Sequence, residues 1–188
     1  SMRRAIEEFG MHLKEVGPKA VGVFYYAGHG IQVDGQNYLI PIASDIRIKI
    51  DIREKAIKAS FVLREISSAG NNMNLFILDT CRENKSTNRG RLGIQGFKKM
   101  DAPAGSMVAF STGSGDLAKD GPPGGNSPYS KALAEYISTP GLTVEEVFKN
   151  TRVKVMAKTN KRQIPREDSS LTSDFSFVPI NKKVGPEG

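Results

Sequence analysis

The chain has 188 residues, a formal net charge of +7, 38% hydrophobic residues and 25% charged residues. This length and balance indicate one globular domain with a single core. No run of 18 apolar residues occurs, so no segment is predicted to cross a membrane. The lysines and arginines are scattered with few aromatic residues among them, so we expect a solvated basic surface and no nucleic-acid partner.

The cysteine and histidine counts limit metal and redox chemistry. A single cysteine excludes an intrachain disulfide and any multi-cysteine zinc site. With only His12 and His29 available, a metal centre would rest on carboxylates, and no EF-hand pattern occurs. We therefore expect no metal site and no cofactor. The sequence does not determine the compartment, although the cytoplasm is favoured over the periplasm.

The first half of the chain alternates helical and strand patterns. Residues 3–16 place apolar side chains at helical spacing, which predicts an amphipathic helix. The runs VGVFYY (21–26) and NLFILD (74–79) are nearly all apolar, as in strands buried on both faces of a parallel sheet. A weak strand at 37–41 and a helical region at 53–69 lie between them. This alternation predicts an α/β sheet with right-handed crossovers.

The second half contains a third apolar run, MVAFST (107–112), which predicts another buried strand. Ser127, followed by proline, predicts the start of one helix, and the capping box from Thr143 to Glu146 predicts the start of another. The run FSFVPI (175–180) predicts a closing strand.

Three long polar stretches, at 82–106, 113–126 and 160–174, are predicted as loops. Loops of this length often hold binding residues. They lie close to the carboxyl ends of predicted strands, where open α/β sheets place their sites.

His29 and Cys81 each follow a predicted buried strand, in the sequences YYAGHG and ILDTC. If the two strands are parallel neighbours, both side chains emerge at one edge of the sheet, where an imidazole can convert the thiol into a nucleophilic thiolate. Gly28 and Gly30 are expected to let the backbone turn sharply and expose the imidazole. The amides of Gly30 and Cys81 could then form an oxyanion hole. Taken alone, the cysteine could equally be a small buried side chain and the histidine a loop cap.

The sequences YYAGHG, GQNYLIP (35–41) and LDTCR resemble the caspase-type peptidase domain. The interval between His29 and Cys81 is close to the roughly 50 residues that separate the corresponding pair in caspases. Two further segments, STGSGDLAKDGPPGGNSPYSKAL and SSLTSDFSF, are similar to the bacterial orthocaspases and paracaspases, with metacaspases near. The resemblance implies that His29 and Cys81 form a catalytic dyad.

The resemblance also implies the architecture. We expect an α/β fold: a caspase-like three-layer sandwich with a mostly parallel central sheet and helices on both faces. Residues 1–188 form a single domain, with a large-subunit-like part to about residue 90, a linker loop at about 82–106 and a small-subunit-like part at about 107–188. Family members begin with a strand and helix upstream of this chain's first residues, so the N-terminal strand is expected to be missing. Its loss would expose a sheet edge prone to self-association, poor solubility or pairing with the missing segment.

Substrate specificity is implied by Asp79, two residues before Cys81, where the family's side chain lines the S1 pocket. A carboxylate there attracts Arg or Lys at P1 and repels Asp. Asp120 resembles a second acidic S1 position of paracaspases, and Asp116 is the reserve candidate. The alternatives are a turn residue for Asp120 and a loop-capping carboxylate for Asp79.

These expectations define a cysteine endopeptidase that cleaves after Arg or Lys in protein or peptide substrates. Relatives are often processed between their two parts, so self-cleavage is expected after a basic residue of the 82–106 loop: Lys85, Arg89, Arg91, Lys98 or Lys99. Some metacaspases need calcium, but no acidic cluster in the sequence supports a calcium site.

Two other functions remain open. The first is a catalytically inactive caspase-fold pseudo-enzyme or interaction module that keeps the dyad without turnover. The second is another cysteine-dependent α/β enzyme, such as an amidase or acyl transferase, that uses the same pair of residues.

Overall fold

The computed structural model describes residues 1–42, 44–46, 49–81, 96–113, 118, 121–122 and 124–180, with Lys49 and Cys81 described by their backbone only. The elements in chain order are α1 (Met2–Val16), β1 (Val21–Val33), β2 (Gln36–Leu39), α2 (Lys49–Lys55), β3 (Ile57–Lys58), α3 (Ala59–Ser67), β4 (Met73–Cys81), β5 (Ser106–Phe110), α4 (Pro128–Ile137), α5 (Val144–Lys158) and β6 (Arg166–Ser169).

The strands form one sheet in the order β3-β2-β1-β4-β5-β6. The central strands β1, β4 and β5 run parallel, whereas β2, β3 and β6 pair antiparallel at the two sides. Helices α1 and α3 cover one face of the sheet, and α4 and α5 cover the other. The expected three-layer α/β sandwich with a mostly parallel centre is therefore confirmed.

Residues 75–78 of β4 show why the centre of this strand is entirely apolar. Phe76 and Leu78 are buried in the cluster under α1 and α3, whereas Leu75 and Ile77 are buried in the cluster under α4 and α5. A central parallel strand covered by helices on both faces excludes water from every side chain, so the usual alternation of apolar and polar residues is lost.

The predicted closing strand at 175–180 is wrong. These residues lie outside the sheet, and Phe175 and Phe177 pack edge to face, with ring centroids 5.1 Å apart, against the core under α4 and α5. The last described strand is β6, inside the stretch predicted as a loop at 160–174. An edge strand with exposed or half-exposed side chains does not need an apolar sequence, so the pattern could not show it.

The predicted helix starts in the second half are confirmed. The Ser127 hydroxyl accepts the Ser130 N–H at 2.9 Å, and Thr143 and Glu146 form both hydrogen bonds of a capping box. The single helical region predicted at 53–69 is instead α2 and α3, separated by Ala56 and the two residues of β3. No helix in the described ranges is long and apolar enough to span a bilayer.

Strand β1 changes partners along its length. Residues Val21–His29 pair with β4, and Gly30–Val33 pair with β2 on the opposite side. Within the described residues, the first part of β1 has no strand partner on the side away from β4. Val23 and Tyr25, on the α4 face of the sheet, are 39% and 44% exposed. Pairing of this edge with another chain remains a prediction.

The packing of α3 on the sheet can be tested with a matched pair of isoleucines. Ile66 of α3 is fully buried, whereas Ile42 is fully exposed. We expect Ile66→Ala to lower the free energy of unfolding by about 2–5 kcal/mol, because it leaves a cavity in the core. Ile42→Ala should change it by less than about 0.5 kcal/mol. Urea unfolding followed by circular dichroism measures both, and equal effects would contradict the described packing.

Candidate functional site

The candidate site lies where β1 and β4 pair for the last time. The parallel register runs from Val21↔Met73 to His29↔Cys81, so His29 and Cys81 are the final partners of this ladder among the residues that the structure describes. Neighbouring strands lie about 4.8 Å apart, and residues with the same parity share a face. Positions 29 and 81 therefore lie side by side on the sheet face that carries α4. The His29 side chain is exposed, and the Cys81 side chain lies outside the described part of the structure.

The main chain of His29 is fixed by Tyr26. The His29 carbonyl accepts the Ile40 N–H at 3.0 Å and lies 2.8 Å from the Tyr26 hydroxyl, which also lies 2.8 Å from the Ile40 carbonyl. The hydroxyl has one proton to share between these two acceptors. Burial raises the pKa of Tyr26 to about 12, only partly offset by the Ile40 hydrogen bond, so the group remains a donor at neutral pH. Tyr26 thus ties the end of the β1–β4 pairing to β2.

The expectation that Gly28 and Gly30 turn the backbone sharply is wrong. Strand β1 continues through both glycines, because its partner changes from β4 to β2 without a break. A Cβ on Gly30 would lie 2.4 Å from the Phe97 ring and 2.9 Å from the Thr80 methyl. A Cβ on Gly28 would lie 2.8 Å from the Tyr26 hydroxyl. Close packing, not a turn, requires these glycines.

Asp79 is buried beneath α4, with 1% of its surface exposed. Its Oδ2 atom accepts hydrogen bonds from the hydroxyls of Ser127 and Ser130, both at 2.5 Å. Its Oδ1 atom is also buried and has no hydrogen-bond partner among the described residues. One oxygen of the carboxylate thus binds two serine side chains at the start of α4. The other oxygen can still accept hydrogen bonds.

Sequence reasoning missed Ser130 and Tyr25, and recognised Ser127 only as a helix cap. The Tyr25 hydroxyl lies 2.6 Å from the Ser130 hydroxyl, which joins β1 to α4 across the Asp79 position. Burial raises the pKa of the neighbouring Tyr129 well above its ordinary value, and the Asp79 charge raises it further. The sequence could have indicated Tyr25 through the alternation of side chains along a strand. In this register odd-numbered residues of β1 pair with odd-numbered residues of β4, so Tyr25 and Asp79 lie on the same face of the sheet.

The other predicted site residues are not placed. Asp116 and Asp120 lie outside the described residues, so their S1 roles stay predictions. In the described part of the chain, no group of three or more His, Cys, Asp or Glu side chains is arranged to hold a metal ion. A small cavity beside Gly30 lies on the opposite face of the sheet from Asp79, between the side chains of Thr80, Phe97, Phe110 and Thr112.

Residues 97–102 are held against the sheet. The Asn37 side chain donates to the Lys98 carbonyl at 2.7 Å and accepts the Lys98 N–H at 2.8 Å, a contact that we call the Asn37–Lys98 clasp. Lys99 forms an ion pair with Asp168 of β6 at 2.7 Å. This hydrogen-bonded pair raises the pKa of Lys99 and lowers that of Asp168. The end of the predicted linker loop is therefore fixed at both sides of the sheet.

Comparison with known proteins agrees with this geometry. A family model described as a caspase domain matches residues 1–176. The structure of caspase-1 from Spodoptera frugiperda aligns with a TM-score of 0.55 at 15% sequence identity, over 95% of this chain and 73% of that chain. At this identity the likeness concerns the fold alone. No curated protein matches the chain. The sheet order, the last β1–β4 pair and the family match over 1–176 together show that the chain belongs to the caspase-domain family.

Proposed function

We propose that the protein is a cysteine endopeptidase that cleaves peptide bonds after Arg or Lys, with Cys81 as nucleophile and His29 as general acid and base. The observation that carries the proposal is the β1–β4 register, which pairs positions 29 and 81 at the end of the ladder. The family match supports the class of reaction. We also propose the orthocaspase or paracaspase branch, because Asp79 and the segments quoted above follow that pattern.

The reaction proceeds in two steps. The Cys81 thiolate attacks the carbonyl carbon of the P1 residue, and the tetrahedral intermediate collapses to a thioester as the C–N bond to the next residue breaks. His29 transfers the proton to the leaving amine. His29 then takes a proton from water, which attacks the thioester, releases the acid product and restores the thiol.

The amides of Gly30 and Cys81 are proposed to hold the oxyanion. Because the His29 carbonyl accepts Ile40 N–H from the β2 side, the main-chain groups of Gly30 point the other way, toward Cys81. Gly30 N–H therefore lies on the correct side of β1 for an oxyanion shared with the Cys81 amide.

The proposed P1 preference depends on Asp79. Its buried Oδ1 can accept hydrogen bonds that no described residue supplies, and a cationic side chain supplies both the donors and the charge. Asp120 and Asp116 are proposed as further S1 acids on the resemblance alone. Protein or peptide substrates with a basic P1 residue are the proposed partners, and no cofactor is proposed.

The first prediction concerns the dyad. Cys81→Ala should reduce hydrolysis of a fluorogenic Arg-P1 peptide to background, and His29→Ala should reduce kcat by roughly 10²–10⁴-fold, because proton transfer is lost. His12→Ala is the matched control, since His12 lies exposed on α1, and should retain wild-type activity. An inactive wild-type protein would favour the pseudo-enzyme or interaction module instead.

The second prediction concerns charge in the S1 pocket. Asp79→Asn should lower kcat/KM for an Arg-P1 peptide by about 10–100-fold, since the variant keeps the shape but loses the charged acceptor. Asp101→Asn, at an exposed carboxylate, should have no effect. Melting temperatures of both variants separate loss of binding from loss of folding. If wild type cleaves an Asp-P1 peptide better than the Arg-P1 peptide, the assignment of Asp79 is wrong.

The third prediction locates self-cleavage. Both main-chain groups of Lys98 are engaged in the Asn37–Lys98 clasp, and a bond must be extended and accessible to be cleaved. We therefore expect a cut after Lys85, Arg89 or Arg91, which lie outside the described residues, and none after Lys98 or Lys99. Intact-mass measurement of wild type against Cys81→Ala identifies the site. Identical uncut masses would contradict self-processing, and a cut after Lys98 would contradict protection by the clasp.

A further inference from the structure

Two hydroxyl groups contact one oxygen of Asp79, and a third hydroxyl contacts one of these two. Ser127 and Ser130 of α4 each lie 2.5 Å from Oδ2, and the Tyr25 hydroxyl lies 2.6 Å from the Ser130 hydroxyl. Ser127 and Asp79 are buried, whereas Tyr25 is 44% exposed. The group therefore reaches from the buried carboxylate to the surface of the site.

The hydrogen count gives this network a direction. An ionised carboxylate only accepts hydrogen bonds, and each hydroxyl has a single proton. Ser127 and Ser130 both direct their protons to Asp79. Ser130 therefore has no proton left for Tyr25, so Tyr25 donates to Ser130. The direction of donation is therefore from the Tyr25 hydroxyl to the Ser130 hydroxyl, and from the Ser130 hydroxyl to Asp79.

The network leaves one oxygen of Asp79 without a donor. The two short hydrogen bonds from Ser127 and Ser130 hold the other oxygen, Oδ2, in one position. Oδ1 is buried without a hydrogen-bond partner among the described residues. A buried, unsatisfied carboxylate oxygen is costly, and a guanidinium or ammonium group removes that cost when it binds.

We propose that Ser130 and Tyr25, together with Ser127, are positioning residues for P1 recognition: they orient Asp79 so that Oδ1 receives the cationic P1 side chain. This inference rests on the proposed function, because it assigns the residues that set the specificity of that same site. Ser127 has a second role as the N-cap of α4. Ser130 and Tyr25 are therefore the residues at which specificity and helix stability can be separated.

The test compares peptides of one sequence with Arg or citrulline at P1, since citrulline has a similar shape and no charge. For Ser130→Ala in the full chain, the ratio of kcat/KM for Arg over citrulline should fall about tenfold, as expected for a lost hydrogen bond to a charged group. Tyr25→Phe should lower the ratio by a smaller factor, and Ser130→Thr should restore it. Ser138→Ala is the matched control, because Ser138 lies at the other end of α4 and its hydroxyl bonds only to the Ala134 carbonyl among the described residues.

The outcomes separate this inference from the proposed function. If wild type prefers Arg and Ser130→Ala keeps the full ratio, the proposed function stands and the positioning role is wrong. If wild type cleaves neither peptide, benzamidine binding to the Cys81→Ala chain decides. Binding that weakens in Cys81→Ala with Ser130→Ala supports the positioning role without turnover. Binding that is absent or unaffected overturns it.

Discussion

The parallel pairing of β1 with β4 is the constraint on which the site depends. It places His29 beside Cys81, and Ala27 beside Asp79, on the face that carries α4. A shift of one residue would pair His29 with a position on the opposite face, so the proposed dyad and the placement of Asp79 would be lost together. The register is set by burial, because Leu75 and Ile77 pack under α4 and α5 while Phe76 and Leu78 pack under α1 and α3. The hydrophobic core therefore determines the geometry of the candidate site.

The sequence predicts the elements whose burial is strong, and fails where burial is weak. The central strands were recognisable because helices cover both of their faces, which favours a run of apolar residues at the centres of β4 and β5. Strand β6, with the sequence REDS, carries no such signal, since an edge strand is held by main-chain bonds to β5. The reverse error occurred at Phe175 and Phe177, whose apolar run packs on the core without joining the sheet.

The site was predictable in part for the same reason. Strand ends that follow buried runs are easy to recognise, so the proximity of positions 29 and 81 could be expected. The hydroxyls around Asp79 could not, because Ser130 is 51 residues further along the chain and approaches through the packing of α4 on the sheet. The glycines on either side of His29 were wrongly predicted to turn the chain. The sequence shows only that they have no side chain, whereas the fold shows that the Phe97 ring occupies the space beside Gly30.

The Asn37–Lys98 clasp also bears on the fate of a nicked chain. Downstream of residue 96, Phe97 packs in the core, Lys98 is bound to Asn37, and β5 lies between β4 and β6 in the sheet. A backbone break in the 82–96 stretch would leave all of these contacts intact, so the two pieces would stay together as a noncovalent heterodimer. A processed protein would then separate into two fragments under denaturing conditions, whereas its size under native conditions would stay the same.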